Sequence, residues 1–255
     1  MLLAVDIGNT HTVFGLFEGT ELRRHFRVET RVGRTSDELA AMLSGLLQLE
    51  GMALRQITAG IISSVVPPAT DAVERLFARH LGQPAVSVGP GIKTGMPVLY
   101  DNPREVGADR IVNAVAAFDR YQGGAIVVDF GTATTFDVVT VKGEYAGGII
   151  APGLMTAAEG LFRATAKLPR VEIVRPRSAI GKNTVASIQA GLVFGYAGMV
   201  DALVTRIRGE LDFSPRVVAT GGLGALVAAE SATIDDHDEF LTLTGLRIIH
   251  ERNRG

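Results

Sequence analysis

Two short turns carry the residues in this chain that are best suited to chemistry. The first turn is Asp6-Ile7-Gly8-Asn9-Thr10 and the second is Asp129-Phe130-Gly131-Thr132. A glycine without Cβ lets the backbone approach a phosphate, while nearby N–H groups and hydroxyls donate to its oxygens and an aspartate holds Mg²⁺ directly or through water. Because two matched copies are present, they favour a polyanionic ligand such as a nucleoside triphosphate. One turn alone is better explained as an ordinary hairpin turn, since Asp, Gly, Asn and Thr are common in turns.

A third glycine-rich turn, Thr220-Gly221-Gly222-Leu223-Gly224, follows an apolar strand late in the chain. Because glycine has no side chain, the backbone of this turn would leave room for the adenine or the ribose of a nucleotide to lie against it. The alternative is structural, since turns between a strand and a helix often need glycine for packing alone.

Composition narrows the possible partners. The chain has 255 residues, of which 47% are hydrophobic, with no cysteine and a formal net charge of -2. This balance provides no field to attract nucleic acid or an anionic membrane surface, and the missing cysteines exclude disulfides and thiolate chemistry. We expect no signal peptide, because no basic segment followed by a long apolar stretch is found at the N-terminus. We also expect no later apolar segment to reach the roughly 20 residues of a membrane span. We therefore expect a cytoplasmic protein that binds neither nucleic acid nor membrane.

The elements that must position these turns occur in a repeated order. Strands are expected over residues 1–5, 12–17, 21–28, 57–66, 125–128, 136–141, 146–150 and 216–219, and helices over 35–47, 73–80, 108–122, 154–165, 185–207 and 225–227. The repeat predicts two lobes, residues 1–122 and 123–255, packed around a shared cleft. Three glycines in the longest helix, Gly191, Gly195 and Gly198, predict a close approach by another helix, either within the chain or across a dimer interface.

Two further segments receive plainer interpretations. The acidic run at residues 235–239 is expected to be a solvated loop. Ser63 and Ser64 end a buried strand near the expected cleft, where they could contact substrate, but no arrangement typical of a nucleophilic serine surrounds them.

The chain resembles the actin-like ATPase superfamily in its two Asp-x-Gly turns and its late Gly-Gly turn. A closer resemblance, to the type III pantothenate kinases, runs from Met1 to Leu243-Thr244-Gly245-Leu246. Its motifs are Asp6-Ile7-Gly8-Asn9-Thr10, Asp101-Asn102-Pro103, Gly107-Ala108-Asp109-Arg110, Asp129-Phe130-Gly131-Thr132-Ala133-Thr134 and Gly181-Lys182-Asn183-Thr184. It implies an α/β fold of two duplicated actin-like (ribonuclease H-like) lobes, with mixed sheets flanked by helices and an ATP cleft between them.

The resemblance also implies an activity, the ATP-dependent phosphorylation of pantothenate to 4'-phosphopantothenate, which opens coenzyme A biosynthesis. Asp109 would be the general base, Asp6 would hold Mg²⁺, possibly through water, and Asp129 would bind a monovalent cation, K⁺ or NH₄⁺. ATP would contact Asp6, Ile7, Gly8, Asn9, Thr10, His11, Thr12, Val13 and Thr132, with Gly221 and Gly222 from the third turn. Pantothenate would contact Tyr100, Gly107, Ala108, Asp109, Arg110 and Thr184, the last near the interface of a homodimer.

Alternatives to this function remain open at the level of sequence. Asp109 and Arg110 could form only the solvated first turn of a helix, where the helix dipole favours an acidic residue. A related kinase for another small hydroxylated substrate is disfavoured by the Gly-x-Asp-Arg match. A regulatory ATP-binding protein that lost catalysis, as the related Bvg accessory factors suggest, is a third possibility, because fold alone does not fix function.

Overall fold

The computed structural model, which describes residues 1–254, contains two five-stranded sheets. The first sheet is built from β1 (Leu2–Ile7), β2 (His11–Glu18), β3 (Glu21–Glu29), β4 (Ala59–Ser64) and β5 (Val86–Ser87). The second is built from β6 (Ala125–Phe130), β7 (Ala133–Val139), β8 (Tyr145–Pro152), β9 (Arg216–Thr220) and β10 (Asp236–His237). Their strand orders are β3-β2-β1-β4-β5 and β10-β9-β6-β7-β8, and in both sheets an antiparallel meander continues into parallel strands. The predicted duplication is therefore confirmed at the level of topology.

Seven α-helices accompany the sheets in the described part of the chain. They are α1 (Ser36–Leu49), α2 (Pro67–Leu76), α3 (Ala108–Tyr121), α4 (Leu154–Ala164), α5 (Thr184–Glu210), α6 (Gly224–Ala228) and α7 (Leu241–Arg252). A capping box begins α1, where the Glu38 N–H donates to the Thr35 hydroxyl and the Thr35 N–H donates to the Glu38 carboxylate. Local sequence patterns do not predict β5 or β10, because each strand is only two residues long. They do not predict α7 either, which follows a strongly acidic segment.

The described residues form two compact units. The first comprises residues 1–96, residues 101–116 and the segment from Thr242 onward; the second comprises residues 97–100 and 117–241. Helix α7 thus belongs to the first unit, although the sequence-based division assigned it to the C-terminal lobe. The domain boundary between residues 122 and 123 stays a prediction.

Strand alternation decides which side of each sheet carries the two key aspartates. In the first unit, Val5 and Ile7 of β1 are buried in a core with α1 and α2, so Asp6 between them points to the opposite face. In the second unit, Val128 and Phe130 of β6 are buried in a core with α4 and α5, and Asp129 likewise points the other way. The same register therefore places both carboxylates outside the main apolar cores.

Helix α5 bears on two expectations. By length and composition it is the one helix within residues 1–254 that could cross a membrane, a property that it shares with core helices of globular proteins. It buries Ile188, Leu192 and Val200 among others in the second core, as the core helix of a globular unit does. Its three glycines are exposed, and a Cβ added at any of them would meet no atom within 4 Å. Of the two predicted alternatives, close approach by a helix of the same chain is therefore not found among the described residues, and the dimer interface stays a prediction.

The acidic segment at residues 235–239 is not a solvated loop. Asp236 lies in β10, where its carboxylate accepts hydrogen bonds from the Tyr121 hydroxyl at 2.9 Å and from Arg120 at 2.7 Å. Burial and the hydrogen bond to Asp236 raise the pKa of Tyr121 to about 12. The segment therefore ties the end of α3 to the edge of the second sheet.

Candidate active site

The first turn is a narrow hairpin between β1 and β2. The Gly8 N–H donates to the His11 carbonyl at 3.0 Å, and a Cβ at Gly8 would lie 3.2 Å from that oxygen. Asn9, Thr10 and His11 are exposed at its tip. A side chain at position 8 would therefore crowd this turn, which presents an amide and a hydroxyl side chain to solvent next to the half-buried Asp6.

Thr30, which directly follows β3, braces this turn. Its N–H donates to the Thr10 carbonyl at 2.9 Å, and its hydroxyl donates to the Gly8 carbonyl at 2.7 Å. Since the Thr30 hydroxyl proton is used in this way, the Thr12 hydroxyl is the donor in the 2.9 Å contact between the two threonines. Thr30 is not predicted from the sequence, because no local motif marks a single threonine that lies 20 residues after the turn.

Asp109 lies at the start of α3 and is half-buried, while Arg110 beside it is buried with 8% exposure. The Asp109 carboxylate accepts a hydrogen bond from the Arg110 N–H at 2.8 Å. A Cβ at Gly107 would come within 2.6 Å of that carboxylate, so glycine leaves room for it. Burial raises the pKa of Asp109 and outweighs the opposing effects of the Arg110 N–H and charge. The interpretation of these two residues as a solvated helical turn does not fit this burial.

Helix α7 holds α3 in place within the first unit. The Thr242 hydroxyl donates to the Asn113 side-chain oxygen at 2.7 Å, one helical turn after Asp109. A Cβ at Gly245 would lie 2.1 Å from the Val112 carbonyl oxygen, so the two helices approach closely there. The C-terminal motif Leu243-Thr244-Gly245-Leu246 therefore helps to position Asp109, because its Gly245 lets α7 pack closely against α3.

The second turn is closed by the start of α4. Its Gly131 N–H donates to the Ala133 carbonyl at 3.0 Å, so this turn is one residue shorter than the first, in which Gly8 donates to His11. The Thr132 carbonyl accepts hydrogen bonds from the Gly153 N–H at 3.1 Å and from the Thr156 hydroxyl at 2.7 Å. A Cβ at Gly153 would lie 2.3 Å from that carbonyl. Gly153 and Thr156 were missed by the sequence analysis, and both fix the backbone of the turn.

The structure brings the third turn against the second. Gly221 has a φ of +88°, and a Cβ there would lie 2.6 Å from an Asp129 carboxylate oxygen and 2.7 Å from the Phe130 carbonyl. Asp129 also pairs in parallel register with Thr220, which is buried. Gly221 is therefore required by both its backbone conformation and its contact with Asp129, whereas Gly222 is exposed.

The remaining predicted residues of the second unit are Tyr100 and Thr184. The Tyr100 ring lies 6.3 Å from the Tyr145 ring at 54°, and the Tyr145 hydroxyl donates to the fully buried Asp137 carboxylate at 2.8 Å. Thr184 is the exposed first residue of α5, where the side chain of the preceding Asn183 caps the helix. The predicted residues thus divide between the units: the first holds residues 6–13 and 107–110, and the second holds Tyr100, Asp129, Thr132, Thr184, Gly221 and Gly222.

No three His, Asp or Glu side chains gather into a metal-binding group within residues 1–254. A cation at either aspartate would therefore depend on one carboxylate together with water, backbone or phosphate oxygens. This donor set suits a cation that arrives with a nucleotide, since Mg²⁺ commonly keeps several waters and uses one or two carboxylates plus substrate phosphates.

Comparison with known proteins decides the family. A family model described as type III pantothenate kinase matches residues 2–206. The chain belongs to the type III pantothenate kinase family. Two relatives named type III pantothenate kinase, from Anaeromyxobacter sp. (strain Fw109-5) and Geobacter sulfurreducens (strain ATCC 51573 / DSM 12127 / PCA), are each 57% identical over 254 residues, with 100% of both chains covered.

The fold of this type III pantothenate kinase is shared more widely. The inorganic polyphosphate/ATP-glucomannokinase of Arthrobacter sp. strain KM matches it with a TM-score of 0.50 and 15% identity, covering 99% of each chain. At this identity the match concerns the fold alone. Together with the two sheets of equal topology, it identifies the duplicated actin-like fold expected from the sequence.

Proposed function

We propose that the chain transfers the γ-phosphoryl group of ATP to the primary hydroxyl of pantothenate and so makes 4'-phosphopantothenate. This reaction opens coenzyme A biosynthesis. The observation that carries the proposal is the 57% identity over the full length of type III pantothenate kinases. The chain is accordingly a phosphotransferase with an alcohol acceptor, using ATP with a divalent metal.

Asp109 serves as the general base in this proposal. Its carboxylate accepts the proton of the pantothenate hydroxyl as the new bond from that oxygen to the γ-phosphorus forms and the bond to the leaving ADP oxygen breaks. Its raised pKa supports the role, because a carboxylate in a partly buried site is a stronger base than one in water. Gly107, Ala108 and Arg110 complete this part of the pantothenate site.

The two turns share the binding of nucleotide and cations. Residues 6–13 contact the ATP phosphates, and Asp6 holds Mg²⁺, in part through water; Thr132, Gly221 and Gly222 also contact ATP. Asp129 binds a monovalent cation, K⁺ or NH₄⁺. The bound cations supply positive charge that offsets the charge of the phosphates, and the side chains orient the nucleotide. Support comes from the narrow first turn and from the contact between the Asp129 carboxylate and Gly221.

Pantothenate recognition extends to Tyr100 and Thr184, and the chain works as a homodimer with Thr184 near the interface. Support for the dimer comes from α5, whose exposed glycines Gly191, Gly195 and Gly198 leave room for a second helix. We place the reaction in the cytoplasm, a reducing compartment that suits a chain without cysteine.

One assay tests the reaction and its cation. Purified protein is incubated with ATP, Mg²⁺ and pantothenate, in buffers that contain either K⁺, NH₄⁺ or Na⁺, and the product is measured by mass spectrometry. We expect phosphopantothenate with K⁺ or NH₄⁺ and little with Na⁺. No product with any of these cations contradicts the proposed reaction, while equal product with all three removes only the monovalent-cation site.

A further inference from the structure

One buried hydroxyl beside the first turn has no partner in the fold. Ser63, near the end of β4, has 0% exposure, and its Oγ makes no hydrogen bond to any atom of residues 1–254. A buried polar group without a partner is destabilising, so such groups are rare and call for an explanation.

The position of Ser63 in the sheet suggests that explanation. Ser63 pairs with Asp6 in the parallel register of β1 and β4, so the two side chains leave the same face of the sheet on strands about 4.8 Å apart. This is the face opposite the α1 and α2 core, because the neighbouring pair, Val5 and Ile62, is buried in that core. The hydroxyl is therefore next to the carboxylate assigned to the divalent cation.

The second sheet repeats this pairing independently. Asp129 of β6 is in register with Thr220 of β9, which is 1% exposed, and this pair also lies on the face away from the main core. Each of the two turn aspartates thus has a buried hydroxyl residue beside it on the adjacent parallel strand. Hydrophobic residues occupy most other central positions of both strands, namely Ile61 and Ile62 in β4 and Val217, Val218 and Ala219 in β9.

We propose that Ser63 is a positioning residue for the divalent cation, whose hydroxyl rotates to donate a hydrogen bond to the adjacent Asp6 carboxylate when the cation is bound. The inference rests on the proposed role of Asp6. Outer partners of this kind orient a metal-binding carboxylate, and their loss typically weakens metal affinity 10- to 100-fold. Ser63 touches neither substrate nor the reacting atoms in this arrangement.

Binding of Mg²⁺ with a non-hydrolysable ATP analogue tests the role without catalysis. Thermal unfolding of Ser63→Ala and of the unaltered protein is followed at a saturating concentration of the analogue while Mg²⁺ is raised. We expect the Mg²⁺ concentration at half-maximal stabilisation to rise about 10-fold in the variant. Without metal, its unfolding temperature should equal or exceed that of the unaltered protein, because a methyl-sized side chain removes an unsatisfied buried hydroxyl.

Ser64→Ala provides the matched control on the other face of the same strand. The Ser64 hydroxyl oxygen accepts hydrogen bonds from the Val66 N–H at 3.0 Å and from the Thr70 hydroxyl at 2.6 Å. This control should lower the metal-free unfolding temperature and leave the Mg²⁺ requirement unchanged. An unchanged Mg²⁺ requirement in Ser63→Ala, or equal shifts in both variants, overturns the proposal.

Ser63→Cys keeps the experiment decisive if Ser63→Ala fails to fold. Its thiol nearly conserves the volume but is a poor hydrogen-bonding group, so it should share the raised Mg²⁺ requirement. A normal requirement in this variant also overturns the role of Ser63. Formation of phosphopantothenate by the unaltered protein is measured separately, so a failure of the proposed function is distinguished from a failure of this inference.

Discussion

Burial and hydrogen bonding act on the Asp109 carboxyl in opposite directions. Burial raises its pKa, while the Arg110 N–H and the Arg110 charge lower it, and burial has the larger effect. A base must be ionised to accept a proton, so activity should depend on this raised pKa. At the scale of the residue, we therefore expect this one partly buried carboxylate to affect both the rate and its dependence on pH.

Replacing Asp109 tests its role as the base. Asp109→Asn should lower kcat by about 100-fold or more while ATP still binds, which is the usual effect of losing a general base. In the unaltered protein, kcat/KM should fall on the acid side with a midpoint above about 3.9, the ordinary pKa of an aspartate. Steady-state kinetics between pH 4 and 8 check both; an unchanged kcat in the variant removes Asp109 from the chemical step.

The same substitution should have the opposite effect on stability. Because the folded-state pKa of Asp109 is raised, the folded protein binds its proton more tightly than the unfolded chain does. The free energy of unfolding therefore falls as pH rises through that pKa, and the ionised group is destabilising at pH 7. Urea unfolding should find Asp109→Asn at least as stable as the unaltered protein at pH 7. A clearly less stable variant would show that the carboxylate has a structural role.

Gly221 allows a test of the site around Asp129. Gly221→Ala forces a Cβ into a position with a φ of +88° and within 2.6 Å of the Asp129 carboxylate. We expect weaker activation by the monovalent cation and a higher KM for ATP. Gly91→Ala is the control, since Gly91 has a φ of +95° but no atom within 4 Å of an added Cβ. If both variants show the same loss of activation by the cation and the same rise in the KM for ATP, backbone strain alone explains the effect.

At the scale of the element, α3 depends on α7. Hydrophobic periodicity predicts α3 well, but its placement within the first unit depends on Gly245 and on the hydrogen bond from Thr242 to Asn113. This contact joins residues about 130 positions apart in the chain. Asp109 therefore owes its location to a helix that no local pattern predicted.

Placing a side chain between α3 and α7 should lower the free energy of unfolding. Gly245→Ala would place a Cβ 2.1 Å from the Val112 carbonyl, a backbone atom that cannot easily move, so we expect a loss of about 1–3 kcal/mol and a lower kcat. Gly45→Ala in α1 is the control, because its Cβ would meet nothing within 4 Å and alanine favours a helix. Urea unfolding of both variants decides; equal stability would show that α3 and α7 can separate without cost.

At the scale of the whole molecule, two features matter: the duplication of the five-stranded sheet and the proposed homodimer. Two sheets of equal topology carry two related turns, yet their surroundings differ: Thr30 braces the first turn, and α4 and Gly221 enclose the second. This difference is consistent with distinct roles for Asp6 and Asp129. The exposed glycines of α5 remain the clearest place for a second copy of the chain.

A charge on that helix should disrupt the proposed homodimer. Gly195→Lys adds a long cationic side chain to the open surface of α5, so we expect a monomer in sedimentation experiments and, because Thr184 begins the same helix, a higher KM for pantothenate. Gly45→Lys, on the exposed surface of α1, should change neither. A Gly195→Lys protein that remains dimeric would exclude this face as the interface.

Local patterns in the amino-acid sequence predict the repeated turns, most of the strands and helices, the duplicated α/β fold and the family, because turn chemistry and hydrophobic periodicity recur in order along the chain. They do not predict that Thr30 braces the first turn, that α7 holds α3, or that Asp236 is bound by Tyr121 and Arg120. These contacts are seen only in the folded chain, as is the burial that raises the pKa of Asp109. Each depends on groups far apart in the chain, whose distances and solvent exposure exist only after folding.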